Sequence, residues 1–307
     1  FYYNGLIGNY FIYVLLILLL FVLPFFNISI LNNSFEYILI SLYLMKPTQV
    51  IVGSIPSFSF ANRAIDHFNE LKGLKESREV EANGGRQISE LEEVNFNKLV
   101  FQYEYEKDNF KIGPIDLILT KGQIVFLSGG NGSGKSTFIK LLTGLYSPKS
   151  GDVMVNNEKI SNIQSDYYRS LFSVIYTDSY LFDVVLGFEG NQDEKMNGIL
   201  AKLGISSKVK CKDNILSTID LSYGQRKRVN LAICLLEDKP IYIFDEVAAN
   251  QDSKFKAYFY TNVLQELKEK GKIVFVVTHD DKYFHLADQH FKMDEGKIHS
   301  YNITNNR

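Results

Sequence analysis

Hydrophobic and polar positions follow two different textures along this chain. From 6 to 26 nearly every residue is Leu, Ile, Val, Phe or Tyr. Such a run predicts a helix apolar on every face, long enough to cross a hydrocarbon layer of about 30 Å. Pro24 predicts a kink or the exit. A short polar connection, 27–36, lacks Lys and Arg, and 35–60 then predicts a second, weaker span interrupted by Lys46 and Pro47. Lys46 reads as facing a water-filled cavity or a partner chain; snorkelling, or a later start of the span, are the alternatives. Arg63, Lys72, Lys75 and Arg78 follow, so the positive-inside tendency places the connection outside and the next segment in the cytoplasm.

Positions 61–90 carry Ile65, Phe68, Leu71 and Leu74 at helical spacing and end in Asn83, Gly84 and Gly85, which predicts a helical extension and then a break. From about Leu91 the texture changes to β-rich runs at 98–105 and 110–119, followed by alternating strand and helix patterns. These predict a βαβ-rich domain with a mostly parallel sheet. The organisation expected is two transmembrane helices at 1–62, a cytoplasmic helical linker at 63–90 and a nucleotide-binding domain at 91–307.

Charge supports that division. The 307 residues include 33 Lys and Arg and 35 Asp and Glu, of which only Glu36 and Lys46 fall within the first 62 positions. Two segments facing different solvents account for such an imbalance. A net charge of −2 gives no reason to expect nucleic acid. Cys211 and Cys234 have no metal-like spacing and read as reduced thiols. The chain opens on Phe1, Tyr2 and Tyr3 with neither an initiator Met nor a basic stretch, so it reads as part of a longer protein and not as a signal peptide.

The chemistry concentrates in the charged part. Gly129, Gly130, Asn131, Gly132, Ser133, Gly134, Lys135, Ser136 and Thr137 follow the apolar run 124–127 and precede a predicted helix at 136–142. This G-x-x-x-x-G-K-[ST] pattern makes a phosphate cradle: the glycines let consecutive N–H groups turn inward, and the helix presents its positive end to the same anion. Lys135 is expected to reach the β- and γ-phosphates and Ser136 to hold Mg²⁺. A second apolar strand, 241–244, ends in Asp245, placed for the Mg²⁺ sphere, and Glu246, placed as general base for the attacking water. A third, 272–277, ends in Thr278 and His279, whose neutral imidazole can hydrogen-bond the γ-phosphate and that water. Leu221, Ser222, Tyr223, Gly224 and Gln225 precede an apolar helical stretch at 229–236; they make either a second anion site or an ordinary helix cap.

Taken together these motifs resemble an ATP-binding cassette (ABC) transporter. Residues 129–137 look like its Walker A loop, 221–225 like its LSGGQ signature, 241–246 like Walker B, 249–252 like the D-loop, and His279 like the switch histidine. The resemblance covers 91–307 and implies the ABC ATPase fold, an α/β P-loop NTPase domain with a mixed sheet and a helical subdomain, preceded here by a transmembrane α-helical segment. It implies ATP and Mg²⁺ as cofactors and a head-to-tail partner, a second half-transporter, so that each nucleotide lies between two subunits. Six spans per half are implied, about four more than this chain shows.

Carried over residue by residue, Tyr103 matches the aromatic that stacks on adenine, with Tyr105 as its nearby competitor. Ser222, Gly224 and Gln225 match the groups that face the opposite subunit's nucleotide, and Asp252 the residue that communicates across the dimer. Three departures stand out: Tyr223 where glycine is usual, Thr177 where glutamine touches Mg²⁺, with Asp178 as the substitute metal ligand, and Val247-Ala248 after Walker B. These traits resemble the cyclic-peptide and siderophore exporters. The resemblance thus implies ATP-driven export of a small peptide-like substrate, in contact with membrane lipid, from an inner membrane with the cassette in the cytoplasm. A lipid or multidrug exporter and a non-transport ABC ATPase are the rivals.

Overall fold

A computed structural model describes residues 14, 34–79, 90–103, 110–163 and 165–301. It divides into two compact units, residues 1–80 and 81–307.

The first unit is represented by α1 (Ser34–Glu79), a continuous helix of 46 residues. At 1.5 Å per residue it is about 70 Å long. It occupies the position of the expected second span and runs unbroken through the expected boundary at 62. It does not have the expected composition of a span: among the described residues no helix is long and apolar enough to cross a membrane. Lys46, Pro47, Thr48, Gln49 and Ser54 dilute its apolar content. Leu39, Ile40, Tyr43, Val50, Phe58 and Phe60 are nonetheless exposed along it, as are Lys46 and Pro47. The expected first span at 6–26, apart from the helical, exposed Val14, lies outside the described residues, as does the break at 83–85.

The second unit is built on two sheets. Strands β1 (Glu93–Gln102), β2 (Lys111–Thr120), β4 (Ser150–Val155) and β5 (Glu158–Lys159) make an antiparallel sheet in the order β2-β1-β4-β5. Strands β3 (Ile124–Gly129), β6 (Phe172–Ile175), β9 (Ile241–Asp245), β10 (Ile273–Val277), β11 (Gln289–Asp294) and β12 (Lys297–Ser300) make the other, ordered β12-β11-β3-β10-β9-β6. That sheet is parallel except where β12 returns antiparallel to β11. The mostly parallel sheet expected from about Leu91 is this six-stranded one, while the β-rich runs at 98–105 and 110–119 belong to the separate antiparallel sheet. β2 alternates exposed and buried positions along its second half, as a sheet covered on one face does, whereas β9 and β10 are buried throughout.

That complete burial follows from what covers each face. On one side Phe126, Tyr242, Phe244, Val274 and Val276 pack against α4 (Asp193–Lys202), α5 (Tyr223–Glu237), α6 (Ser253–Tyr258) and α7 (Leu264–Glu269), α6 and α7 being joined by a π-helical turn, Phe259–Val263. On the other side Val125, Leu127, Ile243, Phe275 and Val277 meet α2 (Lys135–Leu142) and the antiparallel sheet. A small hairpin, β7 (Cys211–Lys212) with β8 (Ile215–Leu216), sits between α4 and α5 in sequence. The short helix α3 (Asp166–Ser170) leads into β6. Cys211 and Cys234 are free thiols, both buried. The neighbouring strands β3, β10, β9 and β6 all point their carboxyl ends at one edge, and open α/β sheets bind ligands at that edge.

Candidate active site

The phosphate loop starts where β3 ends. Gly129 has φ +155°, and a Cβ there would lie 2.4 Å from the Met293 carbonyl oxygen on β11, so no side chain fits. Gly134, at φ +105°, is the N-cap of α2 and offers no side-chain cap, leaving the first-turn N–H groups available to an anion. Gly130, Asn131 and Gly132 are exposed at the turn. Lys135 is buried, and its ammonium donates to the carbonyls of Gly129 and Gly130 at 2.9 Å each. Ser133 Oγ is buried without a hydrogen-bond partner. It faces the side of Gly129 that a Cβ would occupy, 2.9 Å from that position.

Asp245 and Glu246 close the adjacent strand β9. Ser136 Oγ donates to Asp245 Oδ2 at 3.5 Å, across 109 positions of sequence. Asp245 is 2% exposed. Burial pushes its carboxyl above the ordinary carboxylate range, and the neighbouring charge of Glu246 adds to the shift. Bonds from the Thr177 hydroxyl and N–H, and the positive charge of Lys227, oppose it. A buried carboxyl beside the Ser136 hydroxyl has the oxygen donors that a hard cation takes. Among the described residues no group of three or more His, Cys, Asp or Glu could hold a metal ion. Mg²⁺ fits these surroundings because it takes one or two protein ligands and completes its shell with phosphate oxygens and water.

Glu246 has a left-handed backbone, φ +52°, uncommon for a residue with a side chain. Its Oε1 lies 3.2 Å from Nε2 of His279, which follows β10 and is half exposed. The two residues assigned to the water from sequence are thus joined beside the Ser136–Asp245 pair.

Tyr103 sits against the start of α2. Its hydroxyl shares a hydrogen bond with Thr137 Oγ1 at 3.1 Å, and its ring stands across those of Phe101 and Tyr146, with centroids 4.9 and 5.8 Å away. Sequence reasoning missed Phe101 and Tyr146, for no motif marks them. The competitor Tyr105 lies outside the described residues.

At the sixth strand the metal-side assignment divides. Thr177, just after β6, is near enough to Asp245 to hold its carboxyl down against burial. Asp178, expected as the substitute ligand, is exposed and lines a groove with Tyr223 and Arg226. The departure at Thr177 was visible in sequence; its contact was not.

The signature residues form a second cluster. Ser222 caps α5 with a reciprocal pair of bonds: its Oγ accepts from Gln225 N at 3.4 Å, and Gln225 Oε1 accepts from Ser222 N at 3.0 Å. The cap reading therefore holds within one subunit. The Gly224 carbonyl accepts from Gln251 Nε2 at 2.8 Å. Asp252 caps α6 through Phe255 N at 2.9 Å and pairs with Arg228. That backbone bond, seconded by Arg228, holds its carboxyl below the usual range. Ser222, Gly224, Gln225 and Asp252 line one open groove, and no residue of the phosphate loop joins them there.

Comparison with known proteins agrees with this geometry. A family profile described as ABC transporter matches residues 112–249. Over 294 residues the chain is 33% identical to the ATP-binding protein SyrD of Pseudomonas syringae pv. syringae, covering 91% of this chain and 52% of that one. It is 28% identical to the subtilin transport ATP-binding protein SpaT of Bacillus subtilis, covering 87% and 46%. It is 30% identical to the energy-coupling factor transporter ATP-binding protein EcfA1 of Mycoplasmopsis synoviae, covering 67% and 80%. In fold it is similar to a bacterial Atm1-family ABC exporter with ATP bound, with TM-score 0.64, 17% identity, and 96% and 54% of the two chains covered. It is also similar to a dimeric ATP-binding cassette in a post-hydrolysis state with ADP and phosphate, with TM-score 0.58, 22% identity, and 69% and 100% covered. The chain spans about half the length of SyrD and of the Atm1-family exporter. A glycine-rich loop, a buried acid and an acid–histidine pair on neighbouring strands, joined to these likenesses, place the chain in the ABC transporter family, of which it carries the ATPase domain.

Proposed function

We propose that this chain is the energy-supplying end of a half-transporter that exports a small peptide-like molecule, such as a cyclic peptide or siderophore, from the cytoplasm. The observation that carries the hydrolytic part is the Glu246–His279 contact at 3.2 Å beside the Ser136–Asp245 pair. The relationship to the ATP-binding protein SyrD over 91% of the chain supports the ATP-driven part, and the subtilin transport named for SpaT supports a transported cargo.

The roles follow from the geometry. Lys135 exchanges its bonds to the Gly129 and Gly130 carbonyls for phosphate oxygens. Ser136 and Asp245 would hold Mg²⁺, which would supply charge neutralisation to the phosphates. Glu246 takes the proton of the attacking water, and His279, in contact with that carboxylate, helps to orient it. Tyr103 carries the adenine. The exposed Ser222 end of α5 meets the nucleotide of a second, similar subunit, whose own Ser222 returns the contact. The assembly sits in the inner membrane among lipid with the cassette in the cytoplasm. Nucleotide binding favours the state in which the two cassettes are closed, and hydrolysis releases it.

The test uses the full-length protein. Glu246→Gln should bind ATP as the wild type does and turn it over about 10²–10⁴ times more slowly. Cells carrying that variant should lose a small peptide from their medium that wild-type cells export. An unchanged set of exported peptides beside a dead ATPase would remove the cargo assignment; unchanged turnover would remove Glu246 as base.

A further inference from the structure

Lys227 is a buried cation that the reading above leaves without a task. It lies on α5, one turn past Tyr223, and is 4% exposed. An ammonium withdrawn from water must be paired. Its Nζ donates to the main-chain carbonyl of Glu246 at 2.6 Å and lies 5.0 Å from the centroid of the Tyr223 ring, and its charge acts on Asp245.

The bond falls where the backbone needs support. Glu246 is left-handed at φ +52°, a conformation that persists in a residue with a side chain only when its surroundings enforce it. Its N–H donates to Val277 O at 3.1 Å and its carbonyl accepts from Ala249 N at 3.1 Å. Lys227 adds a charge-assisted bond to the same carbonyl, reaching across from another element. That peptide sets the direction in which the Glu246 side chain leaves for His279.

Tyr223, the departure from the usual signature glycine, takes part as well. One helical turn before Lys227 on the same face, it covers the ammonium with its ring while its hydroxyl donates to the Thr177 carbonyl at 3.2 Å. Thr177 in turn lies beside Asp245. One turn of α5 therefore reaches the Glu246 carbonyl directly and the Thr177 carbonyl beside Asp245.

We propose that Lys227, seated beneath the Tyr223 ring, is a positioning residue for hydrolysis: it holds the left-handed peptide of Glu246 so that the carboxylate points at His279 and the water. This inference rests on Glu246 acting as the base. It also ties the base to the helix whose first turn carries Ser222.

The test measures Mg·ATP turnover of the full-length protein as kcat and KM separately, with melting temperature as the control for folding. Lys227→Met should lower kcat about 10- to 100-fold while KM for ATP stays within about twofold, because the lost bond is to a charged group and touches no phosphate. Lys227→Arg, which keeps a donor cation, should recover most of the loss. Combined with Glu246→Gln, Lys227→Met should cost nothing further in single-turnover hydrolysis. If Lys227→Met does not fold, Lys227→Gln replaces it with the same expectation. Wild-type kcat, a loss confined to KM, an Arg variant as slow as the Met variant, or an undiminished effect on top of Glu246→Gln would each overturn the proposal. A Glu246→Gln protein with wild-type turnover would instead remove the base itself, whereas a dead Glu246→Gln beside an unaffected Lys227→Met would remove Lys227 alone.

Discussion

Two substitutions at Tyr103 separate what its ring does from what its hydroxyl does. The hydroxyl meets Thr137 Oγ1 at 3.1 Å, and the ring stands at 82° to Phe101 and 78° to Tyr146, which stack on each other at 5.0 Å. Tyr103→Phe removes one part-buried hydrogen bond and should cost about 0.5–1.5 kcal/mol of stability while leaving ATP affinity unchanged. Tyr103→Ala removes the ring. Each lost edge contact should cost about 0.5–1.5 kcal/mol of stability beyond the lost area. A base that stacked on the ring would lose about 1–3 kcal/mol, which raises the ATP dissociation constant about 5- to 150-fold. Calorimetric titration of ATP into the Glu246→Gln background measures affinity without turnover, and thermal melts measure stability beside it. If Tyr103→Ala binds ATP as tightly as its parent while melting lower, the ring is only a member of the aromatic cluster and the adenine contact lies elsewhere, with Tyr105 the next residue to test.

Two further expectations concern acids. Asp245 has a folded-state pKa raised above 3.8 by burial, so the folded protein holds that proton more tightly than the unfolded chain and stability falls as pH rises through the raised value. Without Mg²⁺, Asp245→Asn should melt above wild type at neutral pH, the difference closing below 3.8, and should lose Mg²⁺-dependent turnover; a lower melting temperature at neutral pH would refute the reasoning. Asp193 is the opposite case. The Asn214 N–H at 2.9 Å, helped by Asp213 N at 2.7 Å and Asn191, lowers its carboxyl to about 2 from 3.8. Its contribution is fully present above 3.8 and lost as pH falls through about 2, so the melting temperature of Asp193→Asn should fall less steeply across that window than wild type. Equal slopes would remove Asp193 as the anchor of the 191–214 loops.

The phosphate loop was legible because its meaning is local. Two glycines, a lysine and a serine at fixed spacing, with an apolar run before them and a helix after them, specify a cradle whatever surrounds it. The strands at 241–245 and 273–277 were legible for a related reason: burial on both faces leaves an unbroken apolar run, the first ending on Asp245 and the second followed two residues on by His279. The antiparallel sheet was less so, because β1 has bulges near Phe96, Leu99 and Phe101 that blur its period-two alternation. The span expected at 35–60 shows the limit of local reading. A helix is there, but Lys46, Pro47 and the polar residues after them leave it short of membrane apolarity.

By itself the sequence determined the cradle, the two acids and the histidine, since each motif is contiguous and its backbone makes the site. Tertiary structure alone decided which of these meet. The order β3-β10-β9-β6 sets Ser136 beside Asp245, Glu246 beside His279, and Thr177, not Asp178, on the metal-side acid. It also places Lys227 on the Glu246 carbonyl from 19 residues away. Such contacts depend on strand order and on the angle at which α5 crosses the sheet, quantities fixed by packing the whole core and carried by no single stretch of residues.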